Sequence, residues 1–335
     1  MSYTSGMQRQ GFERSISIVE QFDPAIGQAF VRTTEVVMRD ALASSDEQAR
    51  WTGGMLNGTG APLEFSFATF ADDLRYTVDV GRPSPQTSLA RMDAMLDELG
   101  SEGRQREITA RFGHLQESAS LRWGAWLGVR HRKKDAGTSF KIYAETPPEE
   151  TGAASDLVAE YLGSVPVLSC PAPSLMLVGM SPGSDRCEFY FELTAPRLEL
   201  VDLDRLMGHV GLEGRKQELL GMMRSFDFRG ESRSDALPDA QYGFSYSVLP
   251  GRREGVFSIM AFAADLAGGD GLVRRQFILA ARRRNWSVGG YASLTEPVAE
   301  RFFRSTYHNM ISFVVGQTPM AGLQISVSPP PLGLD

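Results

Sequence analysis

The 335-residue chain has two cysteines, Cys170 and Cys187, and neither belongs to a CxxC pair. That argues against a disulfide framework and a structural zinc site, and it suits a reducing cytoplasm. Basic charge is also short: 34 Lys and Arg against 41 Asp and Glu leave a net charge of −7, the wrong sign for a general nucleic-acid binder. Any anionic ligand must therefore be met by a local group of Arg and Lys. No apolar run approaches the ~18 residues that span a bilayer, and the opening "MSYTSGMQRQGFERS" lacks the apolar core of a signal peptide. The expectation is a soluble cytoplasmic protein, a monomer, with no nucleic-acid or membrane partner. DDxxD and HExxH motifs are both missing, and "LVDLDR" (200–205) reads as a helix start, so no metal is called for and magnesium is optional. No Pro/Gly/Ser-rich linker divides the chain. One domain over 1–335 is expected, with a helical part at 1–55 and the remainder at 62–328.

What is present is a repeat. Val19, Phe22, Ile26, Phe30 and Val37 recur at near-helical spacing up to the turn "NGTG" at 57–60. "PLEFSFAT" (62–69) and "LRYTVDVG" (74–81) then alternate polar and apolar residues as the two arms of a hairpin. "SLARMDAMLDELG" follows as a helix with one apolar stripe, stopped by Gly100. "RWGAWLGVRHR" and "TSFKIYAET" form a second strand pair before a helix at 152–163; "SLMLVGMS" and "RCEFYFELT" form a third, joined by "PGSD". Helices at 203–211 and 214–226 lead to "QYGFSYSVLP" and "VFSIMAFAADL". Helices near 271–284 and 295–305 precede "YHNMISFVVG" and "GLQISVSP". Five helix-plus-hairpin units imply an antiparallel sheet with all helices on one face. Ten such strands can close into a barrel, or the sheet can stay open with its polar face in water.

If helices cover the outside, the apolar parity of each strand faces them and the polar parity faces a lumen. Leu63, Phe65 and Phe67 then point out and Glu64 and Ser66 in; Tyr76, Val78 and Val80 point out and Arg75, Thr77 and Asp79 in. Lys141, Tyr143 and Glu145 enter from "SFKIYAE", and Arg186, Glu188, Tyr190 and Glu192 from "RCEFYFEL". Gln241, Gly243, Ser245 and Ser247 enter from the fourth pair if Tyr242, Phe244 and Tyr246 face the helices. Among the histidines only His308 is a candidate for the lumen; His114, His131 and His209 read as surface or packing residues. The basic runs "RHRKK" (130–134) and "RRR" (282–284) read as a solvated turn and a helix end. Three enclosed cations, Arg75, Lys141 and Arg186, beside tyrosine faces suit a diphosphate joined to a group that develops positive charge.

These pieces resemble the ABBA-fold (PT-barrel) aromatic prenyltransferases, in particular the dimethylallyltryptophan-synthase branch. "LNGTGAPLEFS" (56–66) is similar to the family segment whose acidic residue holds the aromatic acceptor, which would be Glu64. "LRYTVD" resembles the next strand, with Arg75 on the diphosphate. "FKIY" resembles the Lys-x-Tyr that places Lys141 on the diphosphate and Tyr143 in a tyrosine shield over the allyl group. "DRCEFY" supplies Arg186 and Tyr190 in the same two roles, and "YHNMISFVVGQTPMAGLQISVSP" resembles the last hairpin. The resemblance implies an α+β fold: a ten-stranded antiparallel barrel of five αββ repeats with helices outside.

It also implies an activity of secondary metabolism. A dimethylallyl or longer prenyl group would pass from an allylic diphosphate, such as dimethylallyl or geranyl diphosphate, to a small electron-rich aromatic acceptor such as an indole or tryptophan derivative. No cofactor is required. The chain departs from the family pattern in several places. Glu188 stands where a second lysine is usual, and Trp126 stands where a lysine assigned to proton removal is usual. Met310 and Ser326 replace shield tyrosines, and Gln241 is the nearest counterpart of a Gln-x-Tyr. Trp126, Gln241 and Met310 are expected to line the pocket. Glu188 is the candidate base, on the expectation that its surroundings raise its pKa. "KIYAE" and "SLMLVGMS…FYFEL" also resemble the cyanobactin peptide prenyltransferases, which leaves a Trp or Tyr of a peptide open as acceptor. A barrel that binds an aromatic or isoprenoid without turnover is the non-enzymatic alternative.

Overall fold

Alternation along the strands decides the architecture. In Asp73–Asp79, Leu74, Tyr76 and Val78 are buried while Asp73, Arg75, Thr77 and Asp79 are partly open. A strand of this kind has one apolar and one polar face, and the apolar face needs a cover. The structure, a computed structural model, describes residues 3–42, 54–80, 84–101, 103–117, 120–133, 137–147, 152–194, 198–226, 237–303, 307–317 and 319–330. Its ten strands are β1 (Leu63–Ala68), β2 (Asp73–Asp79), β3 (Ala125–Arg132), β4 (Thr138–Glu145), β5 (Ser174–Met180), β6 (Cys187–Glu192), β7 (Tyr242–Val248), β8 (Gly255–Phe262), β9 (His308–Val315) and β10 (Ala321–Val327). They pair antiparallel in chain order, and β1 pairs with β10, so the sheet closes into a barrel without an edge.

The cover comes from helices between the hairpins. Pro24–Val37, Ser88–Glu98, Gln105–Gln116, Gly152–Leu162, Leu200–Gly208, Lys216–Arg224 and Asp270–Arg283 bury Phe30, Met92, Phe112, Leu157, Leu206, Met222 and Phe277 against the barrel wall. Phe65, Phe189 and Phe244 meet them from the strands. Each such ring contributes ~2 kcal/mol on removal from water. The fourth hairpin keeps the same parity: Tyr242 and Tyr246 are buried under the helices and donate their hydroxyls to the carbonyls of Pro238 and Leu206. Gly243, Ser245 and Ser247 therefore face inward.

Two expected helical stretches come out differently, and one helix is new. The N-terminal stretch is broken where Asp23 caps a new helix that begins at Pro24, and residues 43–53 lie outside the described residues. Gln105–Gln116 is an additional helix, with Ile108, Phe112 and Leu115 on its buried face. The stretch at 295–305 is the short helix Tyr291–Leu294 and a 3-10 turn at Glu296–Val298. Pro297 has no N–H to continue an α-helix there, and residues 304–306 lie outside the described residues.

Glu145 does not serve the lumen. Its carboxylate, 1% exposed, accepts hydrogen bonds from the backbone N–H groups of Arg122 (3.0 Å), Trp123 (2.8 Å) and Gly124 (2.9 Å). Gly124 has φ +76°, and a side chain there would run into the Pro85 carbonyl. The carboxylate thus ties the segment that enters β3 to the end of β4. Removing it strands three backbone donors, each costing on the order of 1 kcal/mol or more. Glu145→Ala is expected to lose about 3 kcal/mol of stability, read as a lower urea midpoint with an unchanged slope.

Candidate active site

Inward positions of the strands line two compartments, of about 1110 Å³ and 630 Å³, the larger one continuing past the strand ends to the helix Pro24–Val37 and the turns at 99–101 and 181–184. Ser66, Thr77, Tyr143, Tyr190 and Gln324 line both, so one lumen runs through the barrel. Its ends differ in charge.

The larger compartment is lined by Arg32, Arg75, Arg130, Arg132 and Lys141 against a single lining carboxylate among the described residues, Glu188. Arg75 and Arg130 sit directly opposite one another on β2 and β3, a like-charge pairing that costs energy. Both turn to Asp73: Arg130 Nε donates to Asp73 Oδ2 at 2.6 Å, and Arg75 Nη2 lies 3.5 Å from the same oxygen. Burial and the neighbouring Arg130 lower the Arg75 pKa, and Asp73 opposes them only in part. Arg75 Nε is buried with no hydrogen-bond partner. This end of the lumen is short of negative charge.

Lys141 is paired with Glu188, and the Tyr190 hydroxyl donates to Glu188 Oε2 at 2.5 Å. Burial disfavours the Lys141 ammonium, but Glu188 and Tyr143 outweigh it and the Lys141 pKa is raised. Burial likewise works against the Glu188 carboxylate, yet Lys141 and the hydrogen bonds from Lys141, Tyr190 and Ser247 hold its pKa below the usual range. The expected upward shift of Glu188 is therefore corrected: its ion pair with Lys141 makes it a weak base. The Lys141 ammonium lies 5.3 Å from the centre of the Tyr143 ring, and Tyr143 and Tyr190 meet edge to face with centroids 6.0 Å apart. Tyr143 can lie against the wall because Gly128 and Gly179 flank it; a Cβ at either would come within 2.9 Å of the ring.

The smaller compartment holds Glu64, 6% exposed. Burial raises its pKa to about 7 despite hydrogen bonds from Ser326 and Asn309. Asn309 Nδ2 donates to Glu64 Oε2 at 3.1 Å. Trp126, stacked on Trp123 with centroids 3.9 Å apart, lines this compartment together with Met260 and Met310.

Glu64, Arg75, Trp126, Lys141, Tyr143, Glu188, Tyr190 and Met310 thus share the lumen. Two predicted residues do not join them. Arg186 is turned to the wall, where Nη1 donates to the Ser247 carbonyl at 2.6 Å. Gln241 is exposed beyond β7 and donates to Glu192 Oε1 at 2.6 Å. His308 is also not lumenal: its side chain is buried on the helix side, with Nδ1 2.9 Å from Asp270 Oδ1 and Nε2 2.8 Å from the Tyr291 hydroxyl. A bulge is the cause. The β9–β10 register shifts between Ile325 and Val327, which reverses the parity at this point and points Asn309 inward instead.

Sequence reasoning missed Arg130 and Asn309. "RHRKK" is not a turn throughout, since β3 runs to Arg132 and Arg130 lines the lumen; Lys134 lies outside the described residues. The alternation Trp126, Gly128, Arg130 carried that signal. Among the described residues no group of three or more His, Cys, Asp or Glu could hold a metal ion, and no helix is long and apolar enough to cross a membrane.

No family model matches the sequence, and no curated protein matches it. Solved structures do match. Prenyltransferase PriB in its apo form is 12% identical over 99% of both chains, with a TM-score of 0.76. A 6-dimethylallyltryptophan synthase from Micromonospora olivasterospora, in complex with DMASPP and Trp, is 15% identical over 96% of both chains, with a TM-score of 0.70. A 5-dimethylallyltryptophan synthase from Streptomyces coelicolor is 14% identical over 94% of this chain and 96% of that one, with a TM-score of 0.67. The fold of this chain is the ABBA, or PT-barrel, fold of those enzymes.

Glu64 makes a prediction about stability. Its pKa is about 7 in the folded protein against an ordinary 4.5, so the folded state holds the proton more tightly. The corresponding stability, about 3 kcal/mol, is fully present below pH 4.5 and is lost as pH rises through 7. Glu64→Gln should abolish this dependence, so the variant should gain on the parent between pH 5 and pH 8 in urea denaturation.

Proposed function

We propose that the chain is an aromatic prenyltransferase that moves a dimethylallyl or longer allylic group from its diphosphate to an electron-rich aromatic ring. The observation that carries the reading is the cation-rich end of the lumen, where Arg75 and Arg130 face each other and share one carboxylate, beside Lys141 and the rings of Tyr143 and Tyr190. A diphosphate supplies the missing negative charge through charge-assisted hydrogen bonds. The dimethylallyltryptophan synthases of the same fold, one of them in complex with DMASPP and Trp, support the same reading.

In this mechanism the C–O bond to the diphosphate breaks, and the leaving electron pair stays with the diphosphate among Arg75, Arg130 and Lys141. The allyl cation is held against Tyr143 and Tyr190, whose ring faces carry negative potential. The closed wall keeps out water that would quench it. A ring carbon of the acceptor attacks while Glu64 accepts a hydrogen bond from an indole N–H or phenol O–H. The ring proton then leaves. Glu64, with a pKa of about 7, is better matched to accept a proton near neutral pH than Glu188. The diphosphate is neutralised by side chains, so activity should persist in EDTA.

Incubation with dimethylallyl diphosphate and a panel of indoles and phenols, followed by mass spectrometry, is the direct test. Arg75→Ala and Arg130→Ala should each weaken binding of a thiolodiphosphate analogue roughly tenfold or more, the worth of a hydrogen bond to a charged group. Arg186→Ala should weaken it less, its guanidinium being held at the Ser247 carbonyl. Glu64→Gln should cripple transfer and leave analogue binding nearly intact. Absence of product from every donor length, together with absence of diphosphate binding by calorimetry, would sink the reading; saturable binding without turnover would instead make the chain a binding barrel.

A further inference from the structure

The lumen is polarised along its axis. Opposite the basic compartment, the charged side chains lining the smaller one among the described residues are Glu64, deep inside, and Asp265, just beyond β8. Two more carboxylates stand on inward positions at the same end. Asp79 lies across from Trp126 on the neighbouring strand, and Glu192 ends β6. Glu192 and Asp265 flank Gln241, whose amide donates to the first at 2.6 Å and whose backbone N–H lies 3.4 Å from the second. Two cations near this end are already engaged: Arg122 with Glu145, and Arg91, whose Nη1 donates to the Val80 carbonyl at 3.0 Å, with Asp40. Met55, Leu177 and Phe262 add apolar surface to the same lining, and the Met55 N–H lies 3.4 Å from Asp79 Oδ2.

An acceptor whose ring N–H or O–H meets Glu64 therefore projects its substituent toward carboxylates. We propose that the acceptor is an aryl-alkylamine, an indole or phenol bearing a protonated amine and no carboxylate, with its ammonium at Asp265. The inference rests on the transfer reading above and narrows its substrate class. A carboxylate on the acceptor would meet like charge at the mouth, whereas an ammonium gains at several carboxylates at once. Glu64 then fixes the ring and Asp265 the amine, two anchors in one compartment. The allylic diphosphate occupies the basic end, so the two substrates are sorted by the sign of their charge.

Calorimetry on the full chain at pH 8 and low salt, with tryptamine, 3-methylindole, tryptophan and indole-3-propionate as probes, tests this. Tryptamine should bind tightest, about tenfold above indole-3-propionate, and the gap should shrink as salt screens it. Asp265→Asn should lower the ratio of tryptamine to 3-methylindole affinity several-fold, and Asp265→Glu should restore it. Tryptophan or indole-3-propionate binding as tightly as tryptamine, or an unchanged ratio in Asp265→Asn, would overturn the proposal. Prenylation assays separate the two claims. Transfer to tryptophan in preference to tryptamine removes the amine inference and keeps the transferase. Amine-selective binding with no transfer from any allylic donor keeps the inference for the ligand and removes the transferase.

Discussion

Closing a sheet gives its two faces different surroundings, and everything distinctive in this protein follows from that closure. Outside, the apolar parity of ten strands meets helices and packs like any core. Inside, the other parity is largely withdrawn from bulk water, so each buried charge there needs a partner or imposes a cost. Most find one. Glu145 is satisfied by three backbone N–H groups, Glu188 by Lys141 and Tyr190, and Asp73 lies between two arginines. The exceptions are informative because they are few. Arg75 and Arg130 share one carboxylate and face each other, and that unfinished pairing gives the donor end of the lumen its affinity for an anion in the proposed transfer.

Two of the lumenal carboxylates, Glu64 and Glu188, show how position decides chemistry. Glu64 is enclosed with only neutral hydrogen-bond donors, Asn309 and Ser326, so burial dominates and its pKa rises. Glu188 is enclosed with a lysine, so the ion pair dominates and its pKa falls. Carboxylates driven apart in this way take different parts in a reaction. In the proposed transfer, the one near neutrality can exchange a proton. The one held ionised can only set charge and geometry, which for Glu188 means holding Lys141 and the Tyr190 hydroxyl in place. The glutamate that stands where the family resemblance leads one to expect a lysine is thus consistent with a basic compartment that relies on Arg130 instead.

Much of this was legible in the sequence because the strands alternate cleanly. "LRYTVD", "SFKIYAE" and "RCEFYFE" each state which residues go in, and the repeat of helix and hairpin states what covers the outside. Even the fourth hairpin, where either parity offers hydroxyls, resolves once its large rings need helices to pack on. Other features depend on information that alternation does not carry. The β9 bulge moves Asn309 inward and His308 outward, and nothing in "YHNMISF" marks the slip. Arg186 keeps the inward parity of Glu188 and Tyr190, but its long side chain reaches back to a carbonyl in the neighbouring strand. Glu145 has the right parity and still leaves the lumen, since at a strand end the nearest unsatisfied partners are the N–H groups of the adjoining turn. Arg130 was hidden by a basic run that looked like a turn.

The two sides of the lumen are unlike in their side chains, and this bears on how an allyl cation would be held. Tyr143 and Tyr190 form an aromatic side on β4 and β6. Tyr143 lies against the wall only because Gly128 and Gly179 on the flanking strands leave room for its ring. On β8 and β9 the wall is chiefly Met260 and Met310, with one ring, Phe262, at the end of β8. Thioethers are polarisable but unbranched and adaptable, so that side constrains shape less than a ring would. A cation generated here would be fixed from the tyrosine side by ring electrostatics and met from the methionine side by a deformable surface. Orientation of the acceptor must then come from its polar anchors, chiefly the Glu64 carboxylate that Asn309 holds in place, because the methionines cannot impose it.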